Sequence, residues 1–118
     1  MALTVRKLRW LGLSVEDPEA AVTFFRETLG MRLLFHDSES TELETQEGER
    51  IQLFGPSSRF FERARRPFPL FEIEDAPAAR DELSALGIEV GPLEADAEWD
   101  WFDVVGPEGF VFELGSRR

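Results

Sequence analysis

The chain has 118 residues, 42% of them hydrophobic, enough for one domain whose core needs neither disulfide nor structural metal. Thirteen basic and 24 acidic residues give a net charge of −11, which repels phosphate backbones and anionic membrane surfaces and excludes nucleic acid as an expected partner. Cysteine is absent, which removes thiolate metal sites, cysteine nucleophiles and disulfide scaffolds.

The chain begins MALTVRKLRW, without the apolar centre of a signal peptide, and no later apolar run reaches the length of a membrane span, so the expected location is cytoplasmic. From Val5 to Val15 the residues alternate, with Leu11, Leu13 and Val15 on one side and Trp10, Gly12 and Ser14 on the other, which predicts a strand with two unlike faces. Asp17-Pro18 predicts a helix start, because the Asp oxygen caps free amides and Pro at the first helical position has no N–H to leave unpaired. Ala21, Phe25 and Leu29 form the apolar stripe, and Gly30 supplies the left-handed stop. Strands are predicted over Met31 to His36, Thr41 to Thr45 and Arg50 to Phe54, with Gly48 at a hairpin tip.

After Gly55-Pro56 the connector SSRFFERARRP gathers Arg59, Arg63, Arg65 and Arg66, and reads as a solvated linker or short helix before it reads as an anion site. The pattern then restarts. VEDPEAA, from Val15, returns 58 residues later as IEDAPAA, from Ile73, and Leu29-Gly30-Met31 returns as Leu86-Gly87-Ile88, which argues for a duplicated unit. Phe68 to Glu74 is the second leading strand, Ala79, Leu83 and Leu86 the second helix stripe, and Ile88 to Val90, Trp99 to Val105 and Phe110 to Leu114 complete a second βαβββ.

Two such modules, an Asp-started helix ending in Leu-Gly in each, and the terminal run GPEGFVFEL together resemble the vicinal oxygen chelate superfamily. Its members include glyoxalase I, extradiol dioxygenases, fosfomycin-resistance enzymes and bleomycin-resistance proteins. The resemblance covers essentially the whole chain and implies an α+β fold, two tandem βαβββ modules forming a curled mixed sheet around a central cavity with helices packed outside. Residues 1–118 are expected to be a single domain, with module one at about 5–55, a connector at 56–66 and module two at about 67–115. Homodimerisation is implied as well, since relatives commonly complete their cavities across a two-fold interface.

Catalytic relatives hold a divalent metal, and the ligand positions carry over one at a time. The first, usually His and seven residues before the helix-starting Asp, is Trp10; its counterpart in module two is Phe68; the position on the fourth strand is Gln52; the last is Glu113. Neither aromatic ring offers a lone pair to Zn²⁺, Mn²⁺, Fe²⁺ or Ni²⁺, so no metal or other cofactor is expected. The relatives' turn usually begins with Asp, where this chain has Gly106.

Glu113 reads either as a base or ligand anchor with a pKa raised by apolar surroundings, or as a relic bonded to Gln52 or water. Trp10 and Phe68 read either as a clamp for a flat or cationic guest or as a plug. Glu72, two residues from Leu70, shares their inward face if the strand is regular. Trp99 and Trp101, interleaved with Asp96, Glu98, Asp100 and Asp103, suit a basic aromatic guest. A four-residue turn at Gly106 to Gly109 would set Val104 against Val111 and Phe102 against Glu113, turning both tryptophans to the other face. His36 is the lone histidine and is expected to be exposed rather than catalytic.

The expected function is metal-free binding or sequestration of a small aromatic, neutral or cationic molecule by Trp10, Gln52, Phe68, Glu72, Glu113, Trp99 and Trp101. Glu113 is the catalytic candidate if the protein is an enzyme. The alternative is a metal-dependent lyase, isomerase or dioxygenase that recruits Gln52, Glu113 and His36 around a divalent ion.

Overall fold

Two aspartates start the two helices in the same way. Asp17 Oδ1 accepts from the backbone N–H of Ala20 at 3.1 Å, and Asp75 Oδ1 accepts from that of Ala78 at 3.0 Å, with Pro in the first turn of each helix. The structure is a computed structural model describing residues 3–118; Met1 and Ala2, with which the reading of the N terminus begins, lie outside the described residues. The elements run β1 (Lys7–Ser14), α1 (Pro18–Thr23), β2 (Arg32–His36), β3 (Ser40–Glu44), β4 (Arg50–Phe54), β5 (Phe68–Glu72), α2 (Ala76–Ala85), β6 (Glu94–Ala95), β7 (Trp99–Val105) and β8 (Val111–Arg117). The fold is α+β, two βαβββ modules in tandem. Among the described residues the chain divides into two compact units, one of residues 9–68 and one of residues 3–8 with 69–118.

In the unit formed by residues 9–68 the strand order is β2-β3-β4-β1, with β1 parallel to β4 and the other neighbours antiparallel. Leu43 and Leu53 point to the α1 side and are fully buried, together with Val22 of the helix. A π-helical turn, Phe24–Thr28, follows α1 and closes with Leu29 N–H donating to the Phe24 carbonyl at 3.1 Å. That wider turn delays the apolar stripe by a residue. Leu29, expected on the buried face, is therefore 54% exposed.

In the other unit the order is β5-β8-β7-β6, with β5 parallel to β8. Ala76, Ala79 and Leu83 of α2 pack on Ile73, Phe102, Val104 and Leu114. The helix ends in a Schellman motif: Ile88 N–H donates to the Leu83 carbonyl and Gly87 N–H to that of Ser84, both at 3.0 Å, with Gly87 at φ +82°. Leu86 thus sits at the cap and is 70% exposed, not part of the stripe. The expected strand at Ile88 to Val90 is also corrected. Val90 makes one isolated bridge to Val104, and the strand beside β7 is the two-residue β6.

Of the two readings of the connector, the short helix is the one found, and it is packed rather than solvated. It folds around a 3₁₀ turn at Arg63–Arg65 in which Ala64 is fully buried against Phe54 and Phe68. Its arginines lie on rings, Arg59 over Phe60 at 4.6 Å, Arg63 over Phe68 at 4.3 Å and Arg65 over Phe61 at 5.0 Å, each covering apolar surface with an alkyl stem.

Candidate functional site

Strand alternation in the first unit puts Trp10, Gly12 and Ser14 on the face opposite α1, and the register Gly12↔Gln52 and Ser14↔Phe54 adds Gln52 and Phe54 to it. The β3 partners Ser40 and Glu42 share that face. The Trp10 indole lies back over Gly12: a Cβ on Gly12 would stand 2.5 Å from its Cη2 and 3.1 Å from Phe54. The indole meets the rings of Phe68 at 5.2 Å and Phe54 at 6.3 Å, and its Nε1–H donates to Gln52 Oε1 at 3.1 Å. Ring pairs in direct contact have centroids about 4.5–7 Å apart. Trp10 and the buried Phe68 therefore touch each other, tilted by 59°, and leave no slot for a guest ring between them.

The open space lies beside them. A pocket of about 250 Å³ is lined by Glu39, Ser40, Gln52, Phe54, Ser57, Ser58, Arg59 and Phe60. Phe54 and Phe60 are in contact at 5.4 Å and supply its apolar wall. The rim is two hydrogen-bonded turns. Asp37 Oδ1 accepts from Glu39 N–H at 2.7 Å and Ser40 N–H at 2.9 Å, and these bonds hold its carboxyl below the usual carboxylate range. Gly55 N–H donates to the Glu39 carbonyl and the Ser57 hydroxyl to that of Ser38, which ties the loop after β4 to that turn. Ser58 Oγ in turn accepts from Phe60 N–H at 3.1 Å. Two residues of this pocket were singled out from the sequence, Gln52 as a ligand-binding candidate and Arg59 as one of the clustered connector arginines. Phe54, two residues along the same strand, and Phe60 of the connector were missed, although the alternation that marks Gln52 marks Phe54 equally.

The second unit gathers the remaining candidates on one face. Leu70 pairs with Glu113 and Glu72 with Gly115, so Glu72 lies on the Glu113 side of the sheet, and both carboxylates are nearly buried. Gly106 N–H bonds the Phe110 carbonyl at 2.7 Å, which makes Phe110 part of the turn. The expected four-residue turn is thus one residue too short. The register is Val105↔Val111 and Asp103↔Glu113, and this slip of one brings Trp99, Trp101 and Asp103 onto the Glu113 face. Phe102 faces Leu114 in the core instead. The Arg117 guanidinium covers the Trp99 ring at 4.8 Å.

The sequence profile of the Glyoxalase/Bleomycin resistance protein/Dioxygenase superfamily matches residues 7–114. The chain belongs to this superfamily. Its fold is similar to that of methylmalonyl-CoA epimerase from Mycobacterium tuberculosis, with a TM-score of 0.75 and 20% identity over 97% of this chain and 89% of that one. A variant of homoprotocatechuate 2,3-dioxygenase from Brevibacterium fuscum gives 0.74 and 17% over 98% of this chain, which spans 33% of the dioxygenase. A hypothetical protein from Bacillus halodurans gives 0.72 and 17%, covering 95% and 94% of the two chains. At these identities the likeness establishes the fold. No curated protein sequence matches the chain.

The residues at the superfamily's ligand positions do not fit a divalent metal. Trp10 and Phe68 have no suitable lone pair, and the Gln52 oxygen already accepts the indole N–H. Among the described residues no group of three or more His, Cys, Asp or Glu could hold an ion. His36 does not complete a set with Gln52. It pairs with Thr41, whereas Gln52 pairs with Glu42, the next residue along β3, so the two lie on opposite faces of the sheet. Its ring is held at both nitrogens, Nδ1 by Thr41 Oγ1 at 2.6 Å and Nε2 by Glu19 Oε1 at 2.7 Å. The ring is only 26% exposed, where the sequence led us to expect an exposed one.

Proposed function

We propose that this chain is a binding or sequestering member of the superfamily that takes a small, partly aromatic molecule without a metal, in the pocket beside Gln52. One observation carries the reading: the side chain at a metal-ligand position is bonded to an indole instead, and it lines a pocket of about 250 Å³ walled by Phe54 and Phe60. In this reading Trp10 and Phe68 are supports. They hold Gln52 and Phe54 in place, and the guest ring rests on Phe54 and Phe60.

Two measurements test it. Metal analysis of protein purified without chelator is expected to find no stoichiometric Zn, Mn, Fe or Ni, and bound metal at one per chain would defeat the reading. A thermal-shift screen of small aromatic compounds is expected to give stabilising hits that Phe60→Ala weakens about tenfold, the scale of a lost ring contact plus its buried area. A library without a single hit would leave the reading without support. Homodimerisation belongs to the same proposal, and sedimentation at micromolar concentration should show a species of twice the 13.5 kDa chain mass.

A further inference from the structure

Gln52 is oriented by its neighbour. An indole N–H can only donate, so the amide end it reaches must be the oxygen, Oε1. That places Nε2, with two N–H donors, at the other end of the amide, and Nε2 has no hydrogen-bond partner among the described residues. Gln52 lines the pocket, so donors are what its amide end presents there.

The other polar groups lean the same way. Arg59, exposed at the pocket wall, lies over Phe60 and has no ion pair among the described residues. Ser58 Oγ has used a lone pair on Phe60 N–H and keeps its O–H to give. Against these stands one carboxylate, Glu39, exposed on the rim. In a chain of net charge −11, the Arg59 guanidinium at this pocket offsets part of the general repulsion of an anion.

We infer that the guest of this pocket is an aromatic acid: a ring seated on Phe54 and Phe60, carrying a carboxylate that accepts from Gln52 Nε2–H, Ser58 Oγ–H and the Arg59 guanidinium. This rests on the binding reading above and sets the sign of its ligand, opposite to the neutral or cationic guest expected from the sequence. The carboxylate is bonded as charge-assisted hydrogen bonds require, with the planar guanidinium able to meet it through two N–H groups.

The test uses four probes of one shape on the full chain: benzoate, benzamide, benzyl alcohol and benzylammonium, titrated into ¹⁵N-labelled protein. Benzoate is expected to bind in the millimolar range suited to so small a ligand, at least tenfold more tightly than benzylammonium. The shifted signals should include the Gln52 side-chain amide and the Trp10 indole N–H. Arg59→Ala should weaken benzoate about tenfold and benzamide much less, with Arg59→Lys recovering part of the loss. Gln52→Glu is the decisive variant. A carboxylate there can still accept the Trp10 N–H but has no donor to offer, so the preference should reverse towards benzylammonium. Four probes bound equally, or a benzoate affinity indifferent to Arg59→Ala and Gln52→Glu, would overturn the inference and leave the binding reading standing. Silence from all four probes would overturn both.

Discussion

Gly12 shows how one residue decides what its neighbours do. Because it has no Cβ, the Trp10 indole can fold back along its own strand, and only from there does Nε1 reach Gln52. Phe54 and Phe68 close the ring in, so it has nowhere to retreat if a methyl is added. Gly12→Ala should therefore lower stability by about 1–3 kcal/mol, as overpacked cores do, read by urea unfolding, with a change in tryptophan emission. Asp37 makes a second residue-scale case. Backbone N–H groups of Ser40 and Glu39 hold its carboxyl below the usual range. The ionised form is thus favoured in the fold, and its stabilisation is present above the unfolded pKa of about 4 and lost as pH falls through the lower folded value. Melting curves of the protein and of Asp37→Ala should differ at neutral pH and converge in strong acid. A gap that persisted undiminished would show that the carboxylate bonds are not the cause. Gln52 was legible as a position from alternation, but its bond to Trp10 was not, because the two residues are 42 apart in sequence and only strand pairing joins them.

Whole elements were legible where local chemistry specifies them. Both helix starts follow from Asp-Pro and Asp-Ala-Pro, and the left-handed Gly30 and Gly87 lie where the Leu-Gly pairs predicted stops. Asp75→Ala should accordingly cost about 1 kcal/mol, the usual value of a lost N-cap, measured as a lower denaturant midpoint with an unchanged slope. Two of the failures at this scale were slips of one residue. The π-helical turn rotated Leu29 out of the stripe. The turn at Gly106, in which Glu108 takes φ +58° and Gly109 +78°, absorbed Phe110 and reversed the face of Trp99 and Trp101. Both depend on backbone hydrogen bonds that composition does not announce, and a strand period of two converts a slip of one into the opposite answer.

At the scale of the molecule, 24 acidic residues against 13 basic ones make self-repulsion a standing cost of the compact state. Raising NaCl from about 10 to 150 mM shortens the screening length from about 30 to 8 Å and should raise the melting temperature. A fall would mean that ion pairs such as Arg50 with Glu42 and Arg65 with Glu62 outweigh the repulsion. The arginine-rich connector also belongs to this scale. Its charges suggested solvent, yet Phe60, Phe61 and Ala64 between them supply the apolar side that lays it on the sheet.

By itself the sequence determined the duplicated βαβββ plan, the helix caps and the aromatic side chains of Trp10 and Phe68, because each is written in residue type and short spacing. Only the tertiary structure decided which way Gln52 points, which face carries the tryptophans, and that the pocket is walled by Phe54 and Phe60. Those are consequences of register and of rings meeting across strands, and a pairing between distant segments has no local signature to read.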